Sequence, residues 1–444
     1  MRSQGLSGLC KSVKVIFLLI FFIVVACAPN PATGRLEFNL IGTDTELKIG
    51  KEAFEYMDRE AIDSGPFIRE GYAVNYVRSI VDRLYPYFHR RNVVPLNVVI
   101  SPSAEPNAWA LPGYVNVNIG LIPCLENEAQ LAFVIGHEMG HVASRHTAER
   151  YSQTILANVF VTGASIYAGR LGELIGNVGS LLVLSAYSRA QEREADKIGF
   201  YYAVSAGYDP GEVVKSLVNV ESCGRKYLSY LGIKETNLGG FLNRLFSDHP
   251  LTEERVRNLS VMASTKGKGI LNYGDFSSVK RWAEARMEIL LNIDRALYVA
   301  SKNRDTFGAI RRLSDIESKV KGVDIEPEIK AKFYAVKSYL YFNGGDYRSS
   351  IESAKLAVSY KRDFIVSYKI GGIAGLRLKT KDSVTTAKAL FKDCLDLSHN
   401  DQLCMKGALI SSCLLKDSDC SYYCKKYFSS FSSDFPSVST YCIF

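Results

Sequence analysis

A chain of 444 residues exceeds what one ordinary core holds, so two or three domains are expected. Its 47% hydrophobic and 23% charged content excludes a disordered or fibrous polymer. The net charge of +8 is unevenly placed, with 29 Lys+Arg against 20 Asp+Glu in residues 261–444, and no basic run is interleaved with aromatics; nucleic acid is therefore not an expected partner.

At the amino end, Arg2, Lys11 and Lys14 precede the apolar run VIFLLIFFIVVACA, which meets Pro29-Asn30-Pro31. The run falls short of the roughly 20 apolar residues a spanning helix needs and has the shape of a secretory signal over residues 1–26. Val24-Val25-Ala26-Cys27 resembles the lipobox of bacterial lipoproteins. That resemblance implies lipidation of Cys27, an extracytoplasmic chain and, with Ala28 in place of an aspartate, a periplasmic protein anchored to the outer membrane. Cysteine usage agrees with export. Cys394, Cys404, Cys413, Cys420, Cys424 and Cys442 crowd the tail and allow up to three disulfides, whereas Cys124 and Cys223 are expected to be solitary. A zinc site in the tail is disfavoured, because only His399 joins the cysteines and no paired CxxC occurs.

Two helices are expected over Thr43–Asp63, with Thr43 and Glu46 at capping-box spacing, and over Phe67–Phe88, where Val77, Ile80, Val81, Leu84 and Tyr85 repeat at three and four. A short strand follows at Leu96–Ile100. The alternation Tyr114-Val115-Asn116-Val117-Asn118-Ile119 then marks a second strand with one polar face. A sheet edge placed there, just ahead of the next helix, could hold an extended peptide by backbone pairing.

That next helix carries AFVIGHEMGHVASRH, from Ala132 to His146, behind Asn127 as a candidate cap. His137 and His141 are four residues apart, about 40° around a helix and about 6 Å along it, so both imidazoles point to one side. Glu138 lies about 100° further round. This is the HExxH arrangement, two histidines for zinc and a glutamate as general base. One Zn2+ per chain is implied. A hydrolytic zinc site takes a third protein ligand and keeps an open position for water. Downstream, the helix opened by Ser188-Arg189-Ala190-Gln191-Glu192-Arg193-Glu194-Ala195-Asp196 places Glu192 and Asp196 on one face and Glu194 on another. Glu192 is therefore the expected ligand and Asp196 the carboxylate orienting a ligand imidazole, with Glu194 solvated or paired with an arginine. His146 is expected to be structural, and His89 and His399 carry no assignment. Tyr151–Ala186, punctuated by glycines and broken by Arg170, Glu173 and Asn177, is expected to form buried or lid-like helices.

HEMGH, SRAQEREAD, and Asp248-His249-Pro250 followed by Glu254-Arg255 together resemble the zinc metallopeptidases that include the CaaX prenyl endopeptidases and HtpX. Asn30-Pro31-Ala32-Thr33-Gly34-Arg35 and NAWALPGYVNVNIGLI add a likeness to the soluble branch typified by the beta-barrel assembly-enhancing protease. The resemblance covers about residues 29–260. It implies a gluzincin-type α+β domain, mainly α, with a small edge-strand sheet, and the roles given above for His137, Glu138, His141, Glu192 and Asp196. His249 is implied to approach the metal, either assisting catalysis or blocking the open position.

Beyond a long helix expected over Asn272–Lys302, turns at Gly345-Asp346, Lys381-Asp382 and Lys416-Asp417 recur at spacings of 36 and 35 between helix-length segments. Helix pairs at a period near 34 suggest an all-α tetratricopeptide-type (TPR-like) repeat domain. The expected layout is a signal over 1–26, a peptidase domain over 27–265, a helical linker over 266–325 and repeats over 326–444. The expected function is an extracytoplasmic zinc endopeptidase acting on unfolded or misassembled envelope proteins, held to the membrane by its lipid and to outer-membrane assembly machinery through the repeats. The alternative is a chaperone-like assembly scaffold with a closed, regulatory zinc site.

Overall fold

The computed structural model describes residues 27–153, 187–233, 252–303, 305–322 and 324–442. The expected signal, residues 154–186 of the glycine-punctuated stretch, and His249 lie outside the described residues. Among the described residues no helix is long and apolar enough to cross a membrane.

A short antiparallel hairpin, β1 (Cys27–Pro29) with β2 (Leu36–Phe38), precedes α1 (Thr43–Arg59). The expected capping box at α1 is not formed: Gly42 is the N-cap, without a side-chain bond. Glu46 is instead buried and turned inward, where Arg90 at 2.8 Å and Arg145 at 3.1 Å neutralise it. Helix α2 (Tyr72–Leu84) then leads to β3 (Asn97–Ser101), β4 (Ala108–Leu111) and β5 (Tyr114–Asn118). Gly113, at φ +99°, makes the turn between β4 and β5. Sheet order is β3-β5-β4, with β3 and β5 parallel and β4 antiparallel. The alternating strand is thus central. Its polar face is buried, with Asn116 Nδ2 donating to Asn118 Oδ1 at 2.8 Å and Asn118 Nδ2 to the Glu105 carbonyl at 3.2 Å. The edge that packs on the HExxH helix is β4.

That helix, α3 (Glu128–Ala143), is buried on nearly every face, and Asn127 caps it by accepting from Gln130 N–H at 3.1 Å. Its first residue, Glu128, accepts from Tyr76 and Tyr208 hydroxyls and from Gly274 N–H, a negative charge at the positive end of the helix dipole. Helices α4 (Arg189–Ser205), α5 (Glu212–Leu231) and α6 (Glu253–Ser264) complete this part. Cys124 and Cys223 are not solitary: α5 packs on the 3-10 turn Ile119–Cys124, and the two cysteines form a disulfide across 99 residues. Closing so long a loop stabilises the fold by up to roughly 4–5 kcal/mol in chain-entropy terms.

Helix α7 (Phe276–Asn303) starts an antiparallel run continued by α8 (Thr306–Val320), α9 (Pro327–Asn343), α10 (Tyr347–Tyr360), α11 (Ile365–Leu378), α12 (Lys381–Leu397), α13 (Gln402–Leu415) and α14 (Asp419–Ser430). The helix-length segments expected between the turns, 329–342, 347–360, 364–378, 383–397 and 402–415, coincide closely with α9 to α13. One apolar core runs from Ile68 to Phe364 and so crosses the boundaries expected at 265 and 325. A second core lies within the last helices, where the tail cysteines pair as Cys394–Cys404, Cys413–Cys420 and Cys424–Cys442.

The sheet and the helical run are joined by a buried charge. Lys332 on α9 is fully buried, and its Nζ donates to the Asp63 carbonyl at 2.6 Å and the Pro102 carbonyl at 2.9 Å. Burial pulls its pKa down, opposed by the charge of Asp294, whose own carboxyl burial pushes up while Ala104 N–H and Tyr227 hydroxyl donate to it. Lys332→Met leaves two carbonyls without a donor and Asp294 without a compensating charge. Denaturant unfolding should report a loss of about 2–4 kcal/mol, against less than about 0.5 kcal/mol for Lys355→Met at the exposed pair with Glu352.

Candidate metal centre

Backbone contact between α3 and α4 builds the site. A Cβ on Gly136 would stand 3.0 Å from the Gly199 carbonyl oxygen, and one on Gly140 would stand 3.0 Å from that of Ala195. One on Gly199 would lie 2.6 Å from the His137 nitrogen, a distance real Cβ atoms do not adopt. Glycine at these three positions lets the helices touch. Ser188 fixes where α4 begins, through a reciprocal capping box with Gln191, and so sets Glu192 in the first turn beside the two histidines.

The structure brings His137, His141 and Glu192 together. His141 Nε2 is 3.2 Å from His137 Nε2 and 3.3 Å from Glu192 Oε1, and His137 Nε2 is 3.5 Å from Glu192 Oε2. A tetrahedral zinc with ligand bonds of about 2.0–2.1 Å has its ligand atoms about 3.3–3.4 Å apart, and the two imidazole nitrogens, each with its nearest carboxylate oxygen, are spaced close to that value. The donor chemistry fits as well. Burial holds the His141 imidazole well below its ordinary pKa, against the pull of Glu192, and so keeps it in the neutral form that binds a metal. Glu138, next along the helix, is buried with them.

Asp196 lies one turn beyond Glu192, and its Oδ1 is 3.0 Å from His137 Nδ1, where a carboxylate can accept the N–H of a ligand imidazole. Arg255 on α6 reaches both acids: Nε and Nη2 donate to Asp196 at 2.7 Å each, and Nη1 is 3.0 Å from Glu192 Oε2. Burial acts to raise the Asp196 carboxyl, but Arg255 and His137 outweigh it and hold it below the usual range. Glu194 is largely buried and, among the described residues, paired with no arginine; it accepts from Asn30 Nδ2 at 2.9 Å and lies 3.9 Å from His146 Nε2. The Tyr187 ring stacks on His141 with centroids 3.8 Å apart, its phenol pushed up to about 12 by burial.

Arg255 enters the sequence reading only as part of a motif, and nothing in its position 59 residues from Asp196 announces the fork it forms. His146 escapes it too, since its contact depends on the turn through Arg145 after α3, and so does Tyr187, whose ring meets His141 from the segment before α4. His89 and His399 stand apart from the site, bonded to Tyr202 and to the Leu395 carbonyl.

The sequence profile described as peptidase family M48 matches residues 74–263. Residues 74–263 thus carry an M48 peptidase domain. The chain is 28% identical over 239 residues to the mitochondrial metalloendopeptidase OMA1 of Schizosaccharomyces pombe, covering 52% of this chain and 64% of that protein. It is 29% identical over 283 residues to a Protease HtpX homolog of Pelotomaculum thermopropionicum, covering 55% of this chain and 95% of that one. With the beta-barrel assembly-enhancing protease of Escherichia coli it shares 30% identity over 193 residues, 40% of this chain and 38% of the relative. The chain thus spans less than two thirds of the yeast and E. coli relatives. Of the proteins the motifs resemble, HtpX and the beta-barrel assembly-enhancing protease are among its relatives, and mitochondrial ones stand beside them.

Gly199→Ala should part α3 and α4 near His137. We expect zinc affinity, measured by chelator competition, to fall at least tenfold, and the unfolding free energy of the metal-free protein to fall by about 1–3 kcal/mol.

Proposed function

We propose that this protein is an extracytoplasmic zinc metalloendopeptidase that cleaves unfolded or misassembled envelope proteins. The observation that carries the reading is the buried triangle of His137, His141 and Glu192 with Glu138 adjacent on the same helix. Bound there, zinc would lower the pKa of a water and polarise a peptide carbonyl. Glu138 accepts the proton as the water attacks and returns it to the leaving amine nitrogen. Asp196 and, through it, Arg255 keep His137 turned toward the metal position. The β4 edge beside α3 suits an extended chain that adds as a further strand, which favours unfolded segments over folded ones.

Lipidation at Cys27 would hold the enzyme at the outer membrane, and the lipobox-like Val24-Val25-Ala26-Cys27 supports this. The antiparallel helices α9–α14, read as a TPR-like array, would bind partner proteins of the envelope, outer-membrane assembly machinery being the partner the family likeness suggests.

The test uses purified protein loaded with zinc and an unfolded casein-like substrate. Cleavage is expected to stop with a chelator and to fall by at least about 10³-fold in Glu138→Gln while stoichiometric zinc remains bound. Undiminished cleavage by Glu138→Gln overturns the assigned base. Binding of the substrate without cleavage by the wild type would instead support the scaffold reading.

A further inference from the structure

We propose that His146 and Glu194 are positioning residues of the metal centre, setting the orientation and tautomer of His141 through a chain of side chains that ends on the N-terminal segment. The inference rests on the reading of His141 as a metal ligand.

The two metal-facing imidazoles are backed differently. His137 has a carboxylate directly behind its Nδ1, Asp196 at 3.0 Å. Behind the Nδ1 of His141 stands another imidazole: His146 Nδ1, at 2.8 Å, in a fully buried contact. With the Nε2 lone pair of His141 facing the metal position, its proton resides on Nδ1, so His141 donates and His146 Nδ1 accepts. The remaining proton of neutral His146 is then on Nε2, and the group Nε2 faces is the Glu194 carboxylate at 3.9 Å. A carboxylate at that distance favours the tautomer with its N–H directed outward. The Glu194 carboxylate is itself fixed by Asn30 Nδ2 at 2.9 Å, and the same amide nitrogen donates to the Ser144 carbonyl at 3.2 Å. Asn30 Oδ1 meanwhile accepts from the Ala32 and Thr33 N–H groups and closes the turn of the β1–β2 hairpin.

The backbone is built to deliver this contact. After α3 the chain turns through Arg145 in the left-handed region, at φ +55°, a conformation that costs a non-glycine residue on the order of 1 kcal/mol or more. Arg145 is held there by Glu46 at 3.1 Å and by the Ile41 carbonyl at 2.6 Å. A helix continued straight through residue 146 would carry its side chain about 140° round the axis from position 141. The kink brings it back onto His141.

The experiment measures the zinc dissociation constant of the full chain by competition with a chromogenic chelator, with circular dichroism as the check on folding. His146→Leu, which cannot accept a hydrogen bond, should bind zinc about 10–100-fold more weakly. His146→Asn, whose Oδ1 takes the place of Nδ1, should return to within about threefold of the wild type, a recovery that packing alone does not predict. Glu194→Gln should weaken binding about 3–10-fold. Equal zinc affinity in His146→Leu and the wild type overturns the proposal while leaving the metal reading intact. If His146→Leu does not fold, unchanged affinity in Glu194→Gln overturns it. A wild type without stoichiometric zinc removes the metal reading, and this proposal with it.

Discussion

Contact between the backbones of α3 and α4 is the constraint on which the centre depends. Glycine in a helix interior costs on the order of 1 kcal/mol relative to alanine, and Gly136, Gly140 and Gly199 stand in the middle of these two helices. The cost is offset where the side chains would have stood. With no Cβ between them, a first-turn carboxylate on one helix comes within 3.3–3.5 Å of two imidazole nitrogens on the other. The middle residues of HEMGH are therefore not filler: Met139 packs in the core, and Gly140 sets the spacing of the helices.

Charge is the second constraint. Glu192 and Asp196 are both buried, and two carboxylates in a dry site strongly favour protonation of one of them. Arg255 prevents this by forking onto both, and it arrives from a separate helix far along the chain. Thr252 caps that helix by accepting from the Arg255 N–H, so the cap fixes the backbone of the residue whose guanidinium holds the acids. Metal position, acid pair and arginine thus form one unit drawn from three helices.

Local periodicity made much of this legible. The four-residue spacing of His137 and His141 and of Glu192 and Asp196 is a one-dimensional signal, and the structure places all four where helical geometry put them. The helices of the C-terminal half were legible for the same reason. Sequence reading failed where a contact depends on a break in the repeat or on distance along the chain. His146 faces His141 only because Arg145 leaves the helical region, and Cys124 meets Cys223 only because α5 folds back over the turn before α3. Alternation identified β5 as a strand but not as the central one, since a row of buried asparagines, one bonded to the other, reads like a solvent-facing row.

Because the apolar interior passes without interruption from the strands into α7, α8 and α9, the lobe that carries the metal centre has no rind of its own on that side. Severing the chain after α6 would strip the covering from Ile119, Leu121 and Ile122, and would take away both Asp294, which accepts from the Ala104 N–H, and Lys332, which donates to the Asp63 and Pro102 carbonyls. The helical run is in this sense a wall of the lobe that carries the metal centre and not an appendage. Its first three members share the apolar core of that lobe, and only the helices beyond Phe364 close around an interior that is theirs alone.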